Sequence, residues 1–177
     1  MSKQIKILGI DPGAKRCGYS IIYCDIDFNN PEYIQSGIFG LIRNDEELET
    51  YSGYKKRLIA NSIDRFQDLL DEFEPDLAVF EFLPVSNIGA AAGQRLLAFS
   101  VATVGQAMCN LNAVPWSEIT ASTVKKQITG SGVAKKTQVK NAVLSVFPQL
   151  KENKFLADET DAIAVALSWM KKNNTES

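Results

Sequence analysis

The chain contains no histidine at all. That absence removes Ser-His-Asp and Cys-His nucleophile pairs, imidazole general bases and every zinc site that needs an imidazole ligand. Cysteine is scarce too. Cys17, Cys24 and Cys109 are odd in number and lack a CxxC spacing, which reads as reduced thiols rather than a disulfide frame or a zinc site. No apolar run approaches the roughly 20 residues that span a bilayer, and Met1-Ser2-Lys3-Gln4 does not open like a signal peptide. Membrane partners are therefore not expected. Any chemistry must rest on carboxylates and lysines, and carboxylates favour hard cations such as Mg²⁺ or Mn²⁺.

What is present suffices for a single domain over 1–177, since 45% of the 177 residues are hydrophobic. The net charge is −2, yet the charges are segregated. Between Glu118 and Glu152 lie six lysines (Lys125, Lys126, Lys135, Lys136, Lys140, Lys151) and no acid, whereas Asp45 to Asp76 holds ten acids against four basic residues. One positive face on an acidic molecule suits a polyanionic partner, and a merely solvated lysine face is the alternative.

Lys6-Ile-Leu-Gly-Ile-Asp11 predicts a buried strand ending at Pro12-Gly13, and Gly18 to Cys24 a second strand paired with it as a hairpin. Tyr33 to Ile42 predicts a third strand. From Glu46 to Phe73 the pattern is helical, with Ile59, Ile63, Phe66, Leu70 and Phe73 as one apolar stripe. Leu77 to Phe82 is a short apolar strand interrupted by Glu81. Ile88 to Asn110, rich in Ala and Gly, predicts a closely packed helix, and Val114-Pro-Trp-Ser at most a short edge strand. Helices are expected over Thr120–Ile128, Thr137–Phe147 and Asp158–Lys172, the last with Ile163, Leu167 and Met170 on its inner side and Lys171-Lys172 at its C-terminal end. The order implies an α/β domain: a mixed sheet of about five strands, the first three antiparallel, flanked by helices.

Four carboxylates stand out against this pattern. Asp11 closes an apolar strand, although an Asp-Pro-Gly could also simply begin a turn. Glu81 sits in a strand that would otherwise be wholly apolar, so it needs a cation, a strong hydrogen bond or an ion pair, for which Arg16 and Arg95 are candidates. Asp158 and Asp161 lie three apart at a helix start and therefore share a face. Capping explains one of them but not the second, which precedes the apolar Ala162 to Leu167. Glu159 between them points elsewhere. Hard oxygen ligands from three elements could hold two divalent ions about 3.5–4 Å apart, an arrangement that serves in-line phosphoryl displacement without histidine.

On these residues the chain resembles the RuvC-type Holliday junction resolvases. The similarity runs from Leu8-Gly-Ile-Asp11-Pro-Gly13 and Gly18-Tyr19, through Val79-Phe-Glu81, to Asp158-Glu-Thr-Asp161-Ala162. Val124-Lys125 and Gly130-Ser-Gly-Val-Ala-Lys-Lys136-Thr-Gln138 resemble the family's basic segment. The resemblance implies an RNase H-like fold and an acidic quartet on Asp11, Glu81, Asp158 and Asp161, binding two Mg²⁺ ions for which Mn²⁺ can substitute. It also implies functional lysines at Lys125 and Lys136, a homodimer, and symmetric nicking of four-way or other branched DNA that leaves 5′-phosphate and 3′-hydroxyl ends. Lys126, Lys135 and Lys140 are expected to contact phosphates as well. Family members carry an aromatic wedge a few residues beyond the strand glutamate. Here Phe82 is adjacent to Glu81 and is the aromatic expected to meet DNA. The acidic balance and the Phe28–Pro31 insertion resemble bacteriophage members, which implies a cytoplasmic setting in a bacterial cell or an infected host. No helicase partner is readable from the residues. Ala90-Ala-Ala-Gly93, Ala98, Ala102 and Gly105 form a candidate dimer contact, with packing inside one subunit as the alternative. Asp11-Pro-Gly-Ala-Lys-Arg16 also echoes ribosomal-RNA-processing nucleases of the same superfamily, and a junction-binding protein without catalysis is the non-enzyme reading.

Overall fold

A computed structural model describes residues 4–41, 51–82, 92–152 and 157–174. Three strands open it, β1 (Gln4–Asp11), β2 (Arg16–Asp25) and β3 (Glu32–Gly40), followed by helix α1 (Tyr51–Phe73), strand β4 (Leu77–Phe82) and helix α2 (Ala92–Leu111). Strand β5 (Trp116–Thr120), helices α3 (Ala121–Thr129) and α4 (Lys136–Val146), a 3₁₀ turn (Pro148–Glu152) and helix α5 (Ala157–Asn174) complete the order. The sheet runs β3-β2-β1-β4-β5, with β1, β2 and β3 antiparallel and β1, β4 and β5 parallel. This is the expected mixed sheet. Pro115 stands just outside the edge strand, where it offers its carbonyl to the Ala78 N–H at 2.9 Å and its missing donor costs nothing.

Side-chain alternation along the strands divides the core in two. On one face Leu8, Ile10, Ala78 and Phe80 pack with Phe39, Leu58, Phe66 and Leu97, covered by α1 and α2. On the other, Ile7, Val79 and Ile119 meet Val124, Val139, Ile163 and Leu167 of α3, α4 and α5. All three cysteines are free and buried.

The expected α1 stripe is rotated. Leu58, Ser62, Phe66, Leu69 and Leu70 are buried, while Ile63 is 41% exposed. A serine takes the core position because its hydroxyl donates to the Leu58 carbonyl at 2.7 Å, so it enters without an unmet hydrogen bond. Helix α5 also departs from the one-sided pattern. Thr160, every residue from Ala162 to Ser168 and Met170 are buried, because the sheet lies on one side and α3 and α4 on the other. Buried Ser168 is accommodated by donating to the Val124 carbonyl at 3.1 Å. The parts of the third strand and the first two helices expected at 42, 46–50 and 88–91 lie outside the described residues.

Candidate active site

The parallel register of β1 and β4 pairs Ile7 with Leu77 and Ile10 with Phe80. Continued by one residue, it sets Asp11 beside Glu81 at the C-terminal ends of adjacent strands. Alternation turns both toward the face covered by α3, α4 and α5, since Ile7 and Val79 of the same parity pack there.

Helix α5 descends on this edge because two glycines let it. A Cβ on Gly9 would stand 2.5 Å from the Ala162 carbonyl oxygen, and one on Gly18 would stand 2.1 Å from that of Asp158. Ser20, fully buried, donates to the same Ala162 carbonyl at 3.0 Å and fixes the helix against the sheet. Asp158 and Asp161 are thereby carried toward Asp11, while Glu159 turns to β3 and accepts from the Ser36 hydroxyl at 3.4 Å. A cavity of about 180 Å³ is lined by Asp11, Glu81 and Asp161 with Lys125 and Lys136 opposite them.

Electrostatics identify this as one coupled site. Burial pushes the Asp11 carboxyl up to about 8, reinforced by repulsion from Glu81, Asp161 and Asp158 and opposed by Lys136. Burial, then Asp161, pushes Glu81 up to about 7, against Lys136 and Lys125. Lys136 Nζ donates to Asp161 Oδ2 at 2.5 Å, which holds the ammonium above its ordinary range. Arg16 pairs with Asp158 at 3.2 Å, not with Glu81.

Residues 7–169 match the family pattern described as crossover junction endodeoxyribonuclease RuvC. The chain belongs to the RuvC family. Among relatives of that name, the protein of Helicobacter hepaticus is 34% identical over 172 residues, 96% of this chain and 84% of that one. The protein of Gluconobacter oxydans is 31% identical over 168 residues, 93% and 89% of the two chains. Thermus thermophilus RuvC in complex with Holliday junction substrate shares the fold, with a TM-score of 0.78 at 19% identity, covering 97% of this chain and 96% of that one. The yeast mitochondrial Holliday junction resolvase Ydc2 aligns at a TM-score of 0.66 and 15% identity, over 96% of this chain and 82% of that one. The sheet and its flanking helices are thus the RNase H-like arrangement of the RuvC resolvases.

The RuvC family is metal-dependent, and the donor chemistry fits a hard cation. Asp11 and Glu81 are substantially buried, and among the described residues neither has an ion pair or hydrogen-bond donor to balance its charged form. Among the described residues no three ligating side chains form a ready-made cage. Asp158 is paired with Arg16 and Asp161 with Lys136. The acids converge, but two of them are held by cations of the chain itself.

The remaining expected residues divide by position. Lys125, in the middle of α3, and Lys136, at the start of α4, reach the acids. Lys126, Lys135 and Lys140 are exposed beyond the cavity on the same two helices and their junction. The Lys135 N–H is held by the Gln138 side chain at 2.8 Å, a local helix start. Phe82 ends β4 half-buried, with the parity of Ala78 and Phe80, and so leans toward the α1–α2 side rather than the acid side. Sequence reasoning missed the placing role of Gly9 and Gly18, and of the two candidate partners it offered for Glu81, Arg16 pairs with Asp158 instead. The only signal of the glycines was local: a glycine two residues from the site end of each strand, at Asp11 of β1 and Arg16 of β2.

Proposed function

We propose that this chain is a structure-selective endodeoxyribonuclease that resolves four-way DNA junctions by symmetric nicking and accepts other branched DNA. The observation that carries the reading is the meeting of Asp11, Glu81 and Asp161 with Lys125 and Lys136 around one cavity, in a chain that matches the RuvC pattern over residues 7–169. The name shared by the curated relatives favours junction DNA over structured RNA as substrate.

In this reading Asp11, Glu81, Asp158 and Asp161 hold two Mg²⁺ ions. Bound there, the ions would supply the positive charge that lets the acids ionise together and favours attack of water on phosphorus. The exposed ammonium of Lys136 leaves Asp161 for a non-bridging phosphate oxygen, and Lys125 binds a second, so both offset charge that grows during displacement. Lys126, Lys135 and Lys140 bind phosphates farther along the strand. The products carry 5′-phosphate and 3′-hydroxyl ends.

Two equivalent scissile phosphates call for two equivalent sites, hence a homodimer. Of the small-residue set on α2, Ala98 and Ala102 are buried and a Cβ on Gly105 would stand 2.6 Å from the Phe66 ring, whereas Gly93 at the helix start is exposed. The opposite stripe offers Leu96 and Phe99, 47% and 40% exposed, and is the better candidate for the dimer contact. Ala90 and Ala91 lie outside the described residues. No helix among the described residues is long and apolar enough to cross a membrane, and the reading places the enzyme in the cytoplasm.

The test offers a synthetic four-way junction, a Y-fork, linear duplex and structured RNA, each with and without Mg²⁺. Paired nicks in the junction that require the cation are expected. Cutting of RNA in preference to the junction, or binding of the junction with no cleavage under any divalent cation, would sink the proposal.

A further inference from the structure

Beyond the acid cavity lies a second cleft of about 400 Å³, whose lining includes Gly13, Lys15, Arg16, Gln94, Arg95 and Asp158. Its wall includes Asp158, which stands about one helical turn before Asp161 of the acid cavity on α5. Three permanent cations face one carboxylate, and that carboxylate is already engaged by Arg16. Among the described residues Lys15 and Arg95 form no ion pair and no side-chain hydrogen bond. Exposed cations without partners, gathered on a concave wall, favour an anionic ligand.

The wall is built on fixed parts. A Cβ on Gly13 would stand 2.1 Å from the Arg16 carbonyl oxygen, so only glycine lets the turn close this tightly. The turn is anchored where the N–H of buried Leu41 donates to the Lys15 carbonyl at 3.0 Å, and Arg16 pairs in register with Gly40. Arg95 stands on α2 one turn before buried Ala98 and two residues before buried Leu97.

The acids therefore border two separate groups of cations, Lys125 and Lys136 in the cavity of Asp11, Glu81 and Asp161, and Lys15, Arg16 and Arg95 in the cleft of Asp158. A run of carboxylates repels a polyanion unless cations flank it. We propose that the Lys15–Arg16–Arg95 cleft is a second phosphodiester subsite, which takes the backbone of the strand being cut on the side of the scissile phosphate away from the lysine helices. Lys15 and Arg95 bind phosphate oxygens, Gln94 adds a neutral donor, and Arg16 is shared between Asp158 and the strand. The inference rests on the nuclease reading and adds to it where the strand enters or leaves.

The experiment uses the full chain and a synthetic four-way junction without divalent cation. Lys15→Gln combined with Arg95→Gln should weaken binding about tenfold at moderate salt and make the log affinity against log salt line shallower by about two. Lys15→Arg combined with Arg95→Lys should restore both, and an unchanged melting midpoint shows that the variants fold. Junctions with a single uncharged methylphosphonate, moved stepwise along the cut strand, locate the contact. Wild type should lose affinity at one or two positions that the double Gln variant ignores, and those positions should differ from the ones silenced by Lys125→Gln. A double variant with wild-type affinity and salt slope, or one with the wild-type methylphosphonate pattern, overturns the subsite and leaves the nuclease reading standing if wild type still cuts. Wild type that binds no junction overturns both.

Discussion

The two faces of the sheet differ most where helices approach it closely. On the α1–α2 face large rings interlock: Phe66 and Phe39 meet edge to face at 5.4 Å, Phe66 lies 6.1 Å from Phe80, and Gly105 makes room for the rings. At the acid end of the α5 face small residues meet: a Cβ on Gly9 would touch the Ala162 carbonyl and the Ala166 methyl, and one on Gly18 would overlap the Asp158 backbone. Bulk on the first face fills volume and stabilises. Smallness on the second lets a helix backbone come close enough for its acids to join those at the strand ends. Both faces carry a buried apolar core, but only the second also builds the site, at the cost of crowding like charges in a buried place.

The sharpest way to break the comparison is to remove acids from the second face alone. Glu81→Gln or Asp161→Asn should lower junction cleavage by on the order of 10³-fold or more while leaving junction binding within a few fold, as gel shifts beside nicking rates would show. Retained cutting by either variant would remove that residue from the catalytic set.

A pair of glycine substitutions comes next. Gly18→Ala and Gly105→Ala should each destabilise by about 1–3 kcal/mol, because each forces bulk into closed packing. Only Gly18→Ala should also slow cleavage per folded molecule, by about 10²-fold, since it displaces the start of α5 and a small misplacement of reacting groups is costly. Denaturant melts combined with single-turnover nicking separate the two effects. Equal loss of activity from both would erase the distinction between the faces.

The crowding itself is measurable as a pH dependence. The Asp11 carboxyl is raised from 3.8 to about 8, so in cation-free protein its contribution to stability is complete below about pH 4 and is lost as pH rises through 8. Melting midpoints without divalent cation should fall between pH 5 and pH 8. Asp11→Asn should flatten that fall, and Mg²⁺ should raise the midpoint more at pH 8 than at pH 5. A cation-free profile that is level over this range would contradict the coupling. The smallest effect belongs to the outer lysines. Lys140→Gln should weaken binding only a few fold and reduce the salt slope by about one, without changing the rate of cleavage of bound junction.

The fold was largely legible because strands and helices of this chain differ in period and are separated by Pro and Gly signals. The four acids were legible for a different reason. A turn could account for Asp11 and a cap for one of Asp158 and Asp161, but Glu81 and the second helix aspartate break apolar patterns, and it was the combination that pointed to one site. The misreadings have a common physical origin. Ser62 and Ser168 occupy core positions because each finds a carbonyl to bond, which periodicity cannot foresee. Helix α5 is buried all round because two further helices cover it, and the close packing at Gly105 depends on the Phe66 ring of α1 and the Phe80 ring of β4.

Residue order by itself thus narrowed the candidates for chemistry: with no imidazole, carboxylates and lysines were what remained, and strand and helix periods placed the acids at element ends. Which cation faces which acid was left to the tertiary structure. That Arg16 takes Asp158, that Lys136 takes Asp161, and that Lys15 and Arg95 share a cleft 80 residues apart in the chain are matters of distance in three dimensions. Coulomb forces act through space, and no local pattern records separations set by a sheet register and two glycine contacts.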